Sequence, residues 1–101
     1  MRIGLFTDGL MHLALEDALK TARRLGVQAV EIGTGNFSPA PHCDLAELSS
    51  SENSRKIFLQ AIEAHKLHLS ALNCSGNPLH PDARIAEQAI EVIRKTLQLA
   101  G

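Results

Sequence analysis

The sequence predicts an α/β fold in which strands and helices alternate as βαβαβα and the strands run parallel. Two observations predict it. Short apolar runs, Ile3–Phe6, Val27–Ile32 and Leu67–Leu72, are separated by longer stretches whose apolar residues recur every three or four positions. That alternation is the pattern of a parallel sheet with right-handed crossovers. The hydrophobic content is 45%, yet three Phe are the only aromatics and Trp and Tyr are absent. The core is therefore built from Leu, Ile, Val and Ala, as favoured on parallel strands. At 101 residues the chain has room for one small domain.

Each element follows from its residues. A first strand is expected at about 2–7, where Ile3–Phe6 runs into the turn residues Thr7-Asp8-Gly9. Leu15, Ala18, Leu19, Ala22 and Leu25 then recur at helical spacing, with Glu16, Asp17, Lys20, Arg23 and Arg24 on the other face. This predicts a helix over about 14–25, closed by Gly26. The second strand is expected at about 27–32. A long polar connection follows, from Gly33 to about Ser51, with one helical turn at Asp44–Leu48. Connections of that length in a compact domain usually carry function. Ser49 and Glu52 have capping-box spacing ahead of a helix at about 52–65, with Ile57, Phe58, Ala61, Ile62 and His65 facing inward. The third strand is expected at about 67–73. Asp82 then caps a third helix over about 82–99, with Ala86, Ala89, Ile90, Ile93, Leu97 and Ala100 as its apolar stripe.

Composition narrows the function classes. The formal net charge is −1 and the longest basic run is Arg23-Arg24, so nothing tracks a phosphate backbone and nucleic acid is not an expected partner. Cys43 and Cys74 form no CxxC pair, against a zinc knuckle or redox motif. No run approaches the roughly 18 apolar residues of a membrane span. The N-terminal apolar segment is too short for a signal peptide. The expectation is a cytoplasmic protein with reduced thiols, no membrane partner and no targeting segment.

Leu99-Ala100-Gly101 repeats the helix-closing punctuation of Leu25-Gly26 with no strand after it. This leads to the expectation of a sequence that stops at a joint between strand–helix units. Three strands would then form either a small open sheet with helices on both sides or an incomplete barrel. In either case two sheet edges stay unpaired, and self-association through those open edges is expected.

In a parallel α/β barrel the site lies at the C-terminal ends of the strands. Here those ends are Thr7-Asp8-Gly9, Glu31–Asn36 and Asn73–Asn77, all polar and rich in small residues. Asp8 is placed to bind a substrate hydroxyl or to shape its own turn. Glu31 sits in an otherwise apolar strand, where a carboxylate needs partners. Gly33-Thr34-Gly35-Asn36 is glycine-rich, but the GxGxxG pattern fails at Ser38 and no helix opens directly after it, so it is not a phosphate loop, although backbone amides here or at Ser75-Gly76-Asn77 could hold a phosphate or hydroxyl group. His42, Cys43 and Asp44 cluster in sequence, and His12 and His80 also lie in connections, yet no HxxxH or HExxH pattern occurs. These loop histidines read as substrate contacts or solvent residues, and His65 and His68 as structural. Cys74 reads as a small packed hydrophobe.

Three segments resemble the sugar phosphate isomerase/epimerase family of xylose-isomerase-like TIM barrels. They are Met1-Arg2-Ile3-Gly4-Leu5-Phe6-Thr7-Asp8, Ala29-Val30-Glu31-Ile32-Gly33-Thr34-Gly35-Asn36, and Leu69-Ser70-Ala71-Leu72-Asn73-Cys74-Ser75-Gly76-Asn77-Pro78-Leu79-His80. The resemblance spans the whole chain and about the first third of a family member. It implies the first three strand–helix units of an incomplete (β/α)₈ barrel. It also implies a divalent-metal enzyme moving a proton between adjacent carbons of a small sugar or polyol derivative. The family's metal set, two Glu, one Asp and one His, lies on later strands. No metal ligand or catalytic base is therefore carried over, and none is expected to be bound by this chain alone. What remains as substrate-binding candidates is Asp8, Glu31, Asn36, His42, Asn73 and His80. The segment by itself is expected to be inactive. The alternatives are a non-catalytic fragment that self-associates, and part of an endonuclease-IV-like DNA-repair barrel, which the sparse basic residues disfavour.

Overall fold

The computed structural model describes residues 3–101; the start of the first expected strand, at Arg2, lies outside them. Strand β1 (Gly4–Phe6) leads into a 3₁₀ turn, Thr7–Leu10, then helix α1 (Leu15–Arg24) and strand β2 (Ala29–Gly33). The long connection contains a short helix, α2 (Leu45–Ser50), and is followed by α3 (Glu52–Ala64), β3 (His68–Asn73) and α4 (Ala83–Ala100). The sheet has order β1-β2-β3, with both pairs parallel.

The sheet is covered on one face. Leu5, Val30 and Leu69 are in register on the face that meets the helices, as are Ile32 and Leu72. They pack with Leu19 and Ala22 of α1 and Ile62 of α3, all at most 1% exposed. The opposite face carries Phe6, Glu31 and Ala71 side by side, with Gly33 beside Asn73. Phe6 is 36% exposed and Ala71 is also exposed. Of the two expected arrangements, the small open sheet with helices on both sides is not the one seen; the core helices α1 and α3 lie on one side.

A β-bulge sets which residues reach that open face. Val30 pairs with Leu69, but Glu31 pairs with Ala71, so Ser70 is the extra residue. Its hydroxyl donates to the Val30 carbonyl at 3.0 Å. Strand side chains alternate with period two, so one inserted residue flips every later side chain. Leu69 and Leu72, three apart, can both meet the core only this way. The same shift turns Asn73 onto the face of Glu31.

Several local expectations need correction. The N-cap of α3 is Ser51, whose hydroxyl accepts from Ser54 N at 3.1 Å; Ser49 lies inside α2. Ser51 is extended between the two helices, which makes it the residue free to cap. Leu25 and Ile57 were expected inward and are exposed, at 65% and 58%. Leu25 falls just past the end of α1, and α3 faces the core through Phe58, Ala61 and Ile62. In α4 the inward face holds Ala89 and Thr96, whereas Ile90 and Leu97 are exposed. Of the expected stripe, Ala86 and Ile93 are partly buried, and Thr96 is held inward by a buried hydroxyl pair with Thr34, Oγ1 to Oγ1 at 2.8 Å. Gly26 (φ 85°) closes α1 as expected. Asp82 accepts from Arg84 N at 2.9 Å and caps α4, also as expected.

Candidate functional site

The C-terminal ends of all three strands meet at one end of the sheet, and the turn after β1 brings Asp8 there. Thr7 is fully buried and starts that turn. Its hydroxyl lies 2.9 Å from His42 Nδ1, and His42 Nε2 lies 2.9 Å from the Leu13 carbonyl. A carbonyl only accepts, so Nε2 carries its proton; in the neutral ring Nδ1 accepts from Thr7. His42 is 5% exposed. Both ring nitrogens are committed to holding the β1 turn against the long connection. The geometry makes His42 a support for the residue beside Thr7, not a member of the rim.

Asp8 is half-buried, and its Oδ1 is fully buried without a hydrogen-bond partner among the described residues. It points toward Gly33, where an added Cβ would lie 2.7 Å from Oδ1 and would also overlap Ser38 Oγ. Only glycine leaves room there for both side chains. Gly33 pairs with Asn73 across the sheet, so Asp8 and Asn73 approach the same short stretch of β2 from opposite sides. Glu31, two residues earlier on that strand, is half-buried.

Asn73 is oriented from above. Its Oδ1 accepts from Ser75 N at 3.2 Å and Ser75 Oγ at 3.1 Å, which aims Nδ2 at Glu31 Oε2, 3.5 Å away. That distance is the outer limit of a hydrogen bond. The Glu31 carboxylate is thus loosely held and retains acceptor capacity. Asp8, Glu31 and Asn73 together present two carboxylates and one amide donor at the end of an open sheet face, a set suited to sugar or polyol hydroxyls.

The other candidates lie elsewhere. Asn36 adopts φ 62°, and its Nδ2 donates to the Cys74 carbonyl at 2.8 Å and to Ala89 O at 3.4 Å. It ties the loop after β2 to the loop after β3 and to α4. The Phe37 N to Ser75 O and Thr34 N to Asn73 O bonds, both 2.8 Å, complete that seam. His80 sits ahead of α4, where Nδ1 accepts from Asp82 N at 3.0 Å; no bond joins it to Asp8, Glu31 or Asn73 among the described residues.

The sequence cluster His42-Cys43-Asp44 does not converge in space. His42 points inward, and Asp44 caps α2 by accepting from Glu47 N at 3.1 Å. Burial, with the nearby Asp44 charge adding to it, pushes the Cys43 thiol up to about 11, so the nucleophilic thiolate is scarce at neutral pH. Among the described residues no group of three or more His, Cys, Asp and Glu is placed to hold a metal ion. Thr7, Gly33 and Ser75 lie in the rim segments the sequence points to, but their individual roles, anchoring His42, leaving room for Asp8 and orienting Asn73, are visible only in the structure; Ser38, which packs at Gly33, is the residue sequence reasoning missed.

The chain matches no protein-family model. It is 46% identical over 101 residues to the uncharacterized protein YfiH of Bacillus subtilis (strain 168), a match covering 100% of this chain and 32% of YfiH. The chain therefore spans about a third of the length of the curated relative it matches. No helix among the described residues is long and apolar enough to cross a membrane.

Proposed function

We propose that this chain is the N-terminal three-strand portion of a TIM-barrel enzyme of the sugar phosphate isomerase/epimerase type. It supplies part of the substrate rim and is inactive by itself. The observation that carries the reading is the row Asp8, Glu31 and Asn73 at the C-terminal end of a one-sided parallel sheet, where α/β barrels place their sites. A relative about three times as long leaves ample chain for the remaining units.

In this reading the buried Asp8 oxygen accepts from one substrate hydroxyl, since an unsatisfied buried acceptor costs about 1–3 kcal/mol. Glu31 accepts from a neighbouring hydroxyl, and Asn73 Nδ2 donates to a substrate oxygen. Metal-assisted proton transfer belongs to the whole enzyme. The donor set here does not fit a divalent ion, because no three ligating groups converge among the described residues, and no step is routed through one.

The test is an amide-resolved NMR titration of the 101-residue chain with ketose phosphates, aldoses and linear polyols, followed by an isomerisation assay with added Mg²⁺ or Mn²⁺. Shifts centred on Asp8, Glu31 and Asn73, abolished by Glu31→Gln, and no turnover are expected. Shifts centred elsewhere would sink the rim assignment. Turnover that survives chelator controls and vanishes in Glu31→Gln would overturn the inactivity.

A further inference from the structure

The loop after β2 grips the loop after β3 at three successive carbonyls. The Asn73 carbonyl accepts from Thr34 N at 2.8 Å and from Thr34 Oγ1 at 3.2 Å. The Cys74 carbonyl accepts from Asn36 Nδ2 at 2.8 Å, and the Ser75 carbonyl from Phe37 N at 2.8 Å. Residues 34, 36 and 37 thus carry the joining of β2 to β3 past the last ladder pair, Gly33 with Asn73. Thr34 and Phe37 contribute backbone amides to this clamp. The middle carbonyl, that of Cys74, is held by a side chain, that of Asn36.

Three features show that the fold makes room for Asn36. Its backbone takes φ 62°, the left-handed region that Asn tolerates best after glycine. Its Nδ2 also reaches the Ala89 carbonyl of α4 at 3.4 Å, so one amide group ties two loops to a helix. Gly76 leaves the space beside it: a Cβ there would lie 2.7 Å from Asn36 Cγ and Nδ2. The consequence falls on Asn73. Its Oδ1 accepts from Ser75 N and Ser75 Oγ, and Ser75 is itself held by the bond from Phe37. Each oxygen of Asn73 therefore carries two donors, which fills its lone pairs. Nδ2 is the side-chain group left to meet a ligand, and it lies 3.5 Å from Glu31 Oε2. The amide cannot exchange its nitrogen and oxygen without losing both Ser75 bonds.

We propose that Asn36 is a positioning residue of the rim: its side chain sets the turn at residues 73–75 and so presents the Asn73 amide as a fixed donor beside Glu31. What that donor meets rests on the rim reading above; how it is held rests on the seam alone. The Asn36 amide is committed to the Cys74 and Ala89 carbonyls, so it acts through Asn73 rather than as the substrate contact expected from the sequence. Exchanging its donor for an acceptor would set a carboxylate oxygen against the Cys74 carbonyl and push the two loops apart, because neither atom then has a proton to share.

Two variants test it in the 101-residue chain. Asn36→Asp keeps the size and the backbone tolerance and removes the donor; Asn36→Gly keeps the backbone conformation and removes the side chain. The readouts are NMR couplings across the Asn73 χ1 torsion and hydrogen exchange at single amides. The unaltered chain should show one Asn73 rotamer. In both variants the couplings should average, and exchange at Phe37 and Ser75 should quicken about tenfold, the worth of about one hydrogen bond. Exchange at Val30, fully buried in the sheet, should stay unchanged. Val30 quickening in step would make Asn36 a general stability residue and overturn the proposal, as would a single Asn73 rotamer in both variants. Titration with dihydroxyacetone phosphate, the smallest ketose phosphate, separates this role from the rim reading. Shifts at Asn73 should fall in the variants while those at Asp8 persist; undiminished shifts at Asn73 would overturn the role. No shift at Asn73 in the unaltered chain, with couplings that still average in the variants, would sink the rim reading and uphold the positioning role.

Discussion

The two faces of the same three-stranded sheet follow different rules. On one, Leu5, Val30, Ile32, Leu69 and Leu72 are chosen for volume and meet a close-packed helix layer. On the other, Phe6, Glu31, Ala71 and Asn73 share the register but vary in chemistry, and all retain exposure. The first face states what this segment needs in order to fold. The second states what it was shaped to meet, whether a substrate, further strands or a second copy. Stability and function are thus divided across about one strand thickness.

The largest effect should come from cutting the covered face while sparing the other. Ile62 is 1% exposed at the centre of the helix layer. Ile62→Ala removes buried methylenes and leaves a void, at a cost of about 2–5 kcal/mol. Phe6→Ala removes a larger side chain from the open face and should cost less than about 1 kcal/mol in the monomer, because little of it is packed. Urea unfolding of both variants at concentrations low enough to keep the chain monomeric checks the contrast. Equal losses would mean that the open face is covered in solution.

A second effect, of about 2–3 kcal/mol, is expected for His42→Ala. The change strands the Thr7 hydroxyl and the Leu13 carbonyl in the interior. It also frees the turn that holds Asp8, so ligand-induced shifts at Asp8 should weaken more than those at Asn73. A uniform loss at both would reduce His42 to a packing residue and separate it from the rim.

Much of this architecture is legible in the sequence, because helical periodicity and turn punctuation are local. Every expected strand and helix is present. The bulge was not legible: apolar Leu69 and Leu72, three residues apart, are equally what a parallel strand buried on both faces shows. What stayed hidden depends on partners distant in the chain. The Thr34–Thr96 hydroxyl pair, joining residues 62 apart, buries a polar residue on α4 that periodicity alone would not turn inward. The two-sided fixing of His42, by residues 35 and 29 positions away, likewise leaves no local mark. Asp8, Glu31 and Asn73 are legible because each lies within or just past the C-terminal half of a strand. Asn36 and His80 lie in the connections that follow, and their side chains are used to join loops and start a helix.

The smallest expected effect separates two joints that do the same work. After α1 the chain turns through Gly26 at φ 85°; after α3 it turns through Lys66 at φ 58°. Glycine adopts that left-handed conformation freely, whereas a side chain costs about 1–2 kcal/mol there. Part of that gain is returned through the greater freedom of glycine in the unfolded chain. Lys66→Gly should therefore stabilise the protein by about 1 kcal/mol, and Gly26→Lys should destabilise it by a similar amount. Lys66 is exposed and forms only backbone bonds in its turn among the described residues, so the backbone term dominates the expected change. A chemical-denaturation midpoint that falls in Lys66→Gly would show that the lysine side chain itself contributes at the joint.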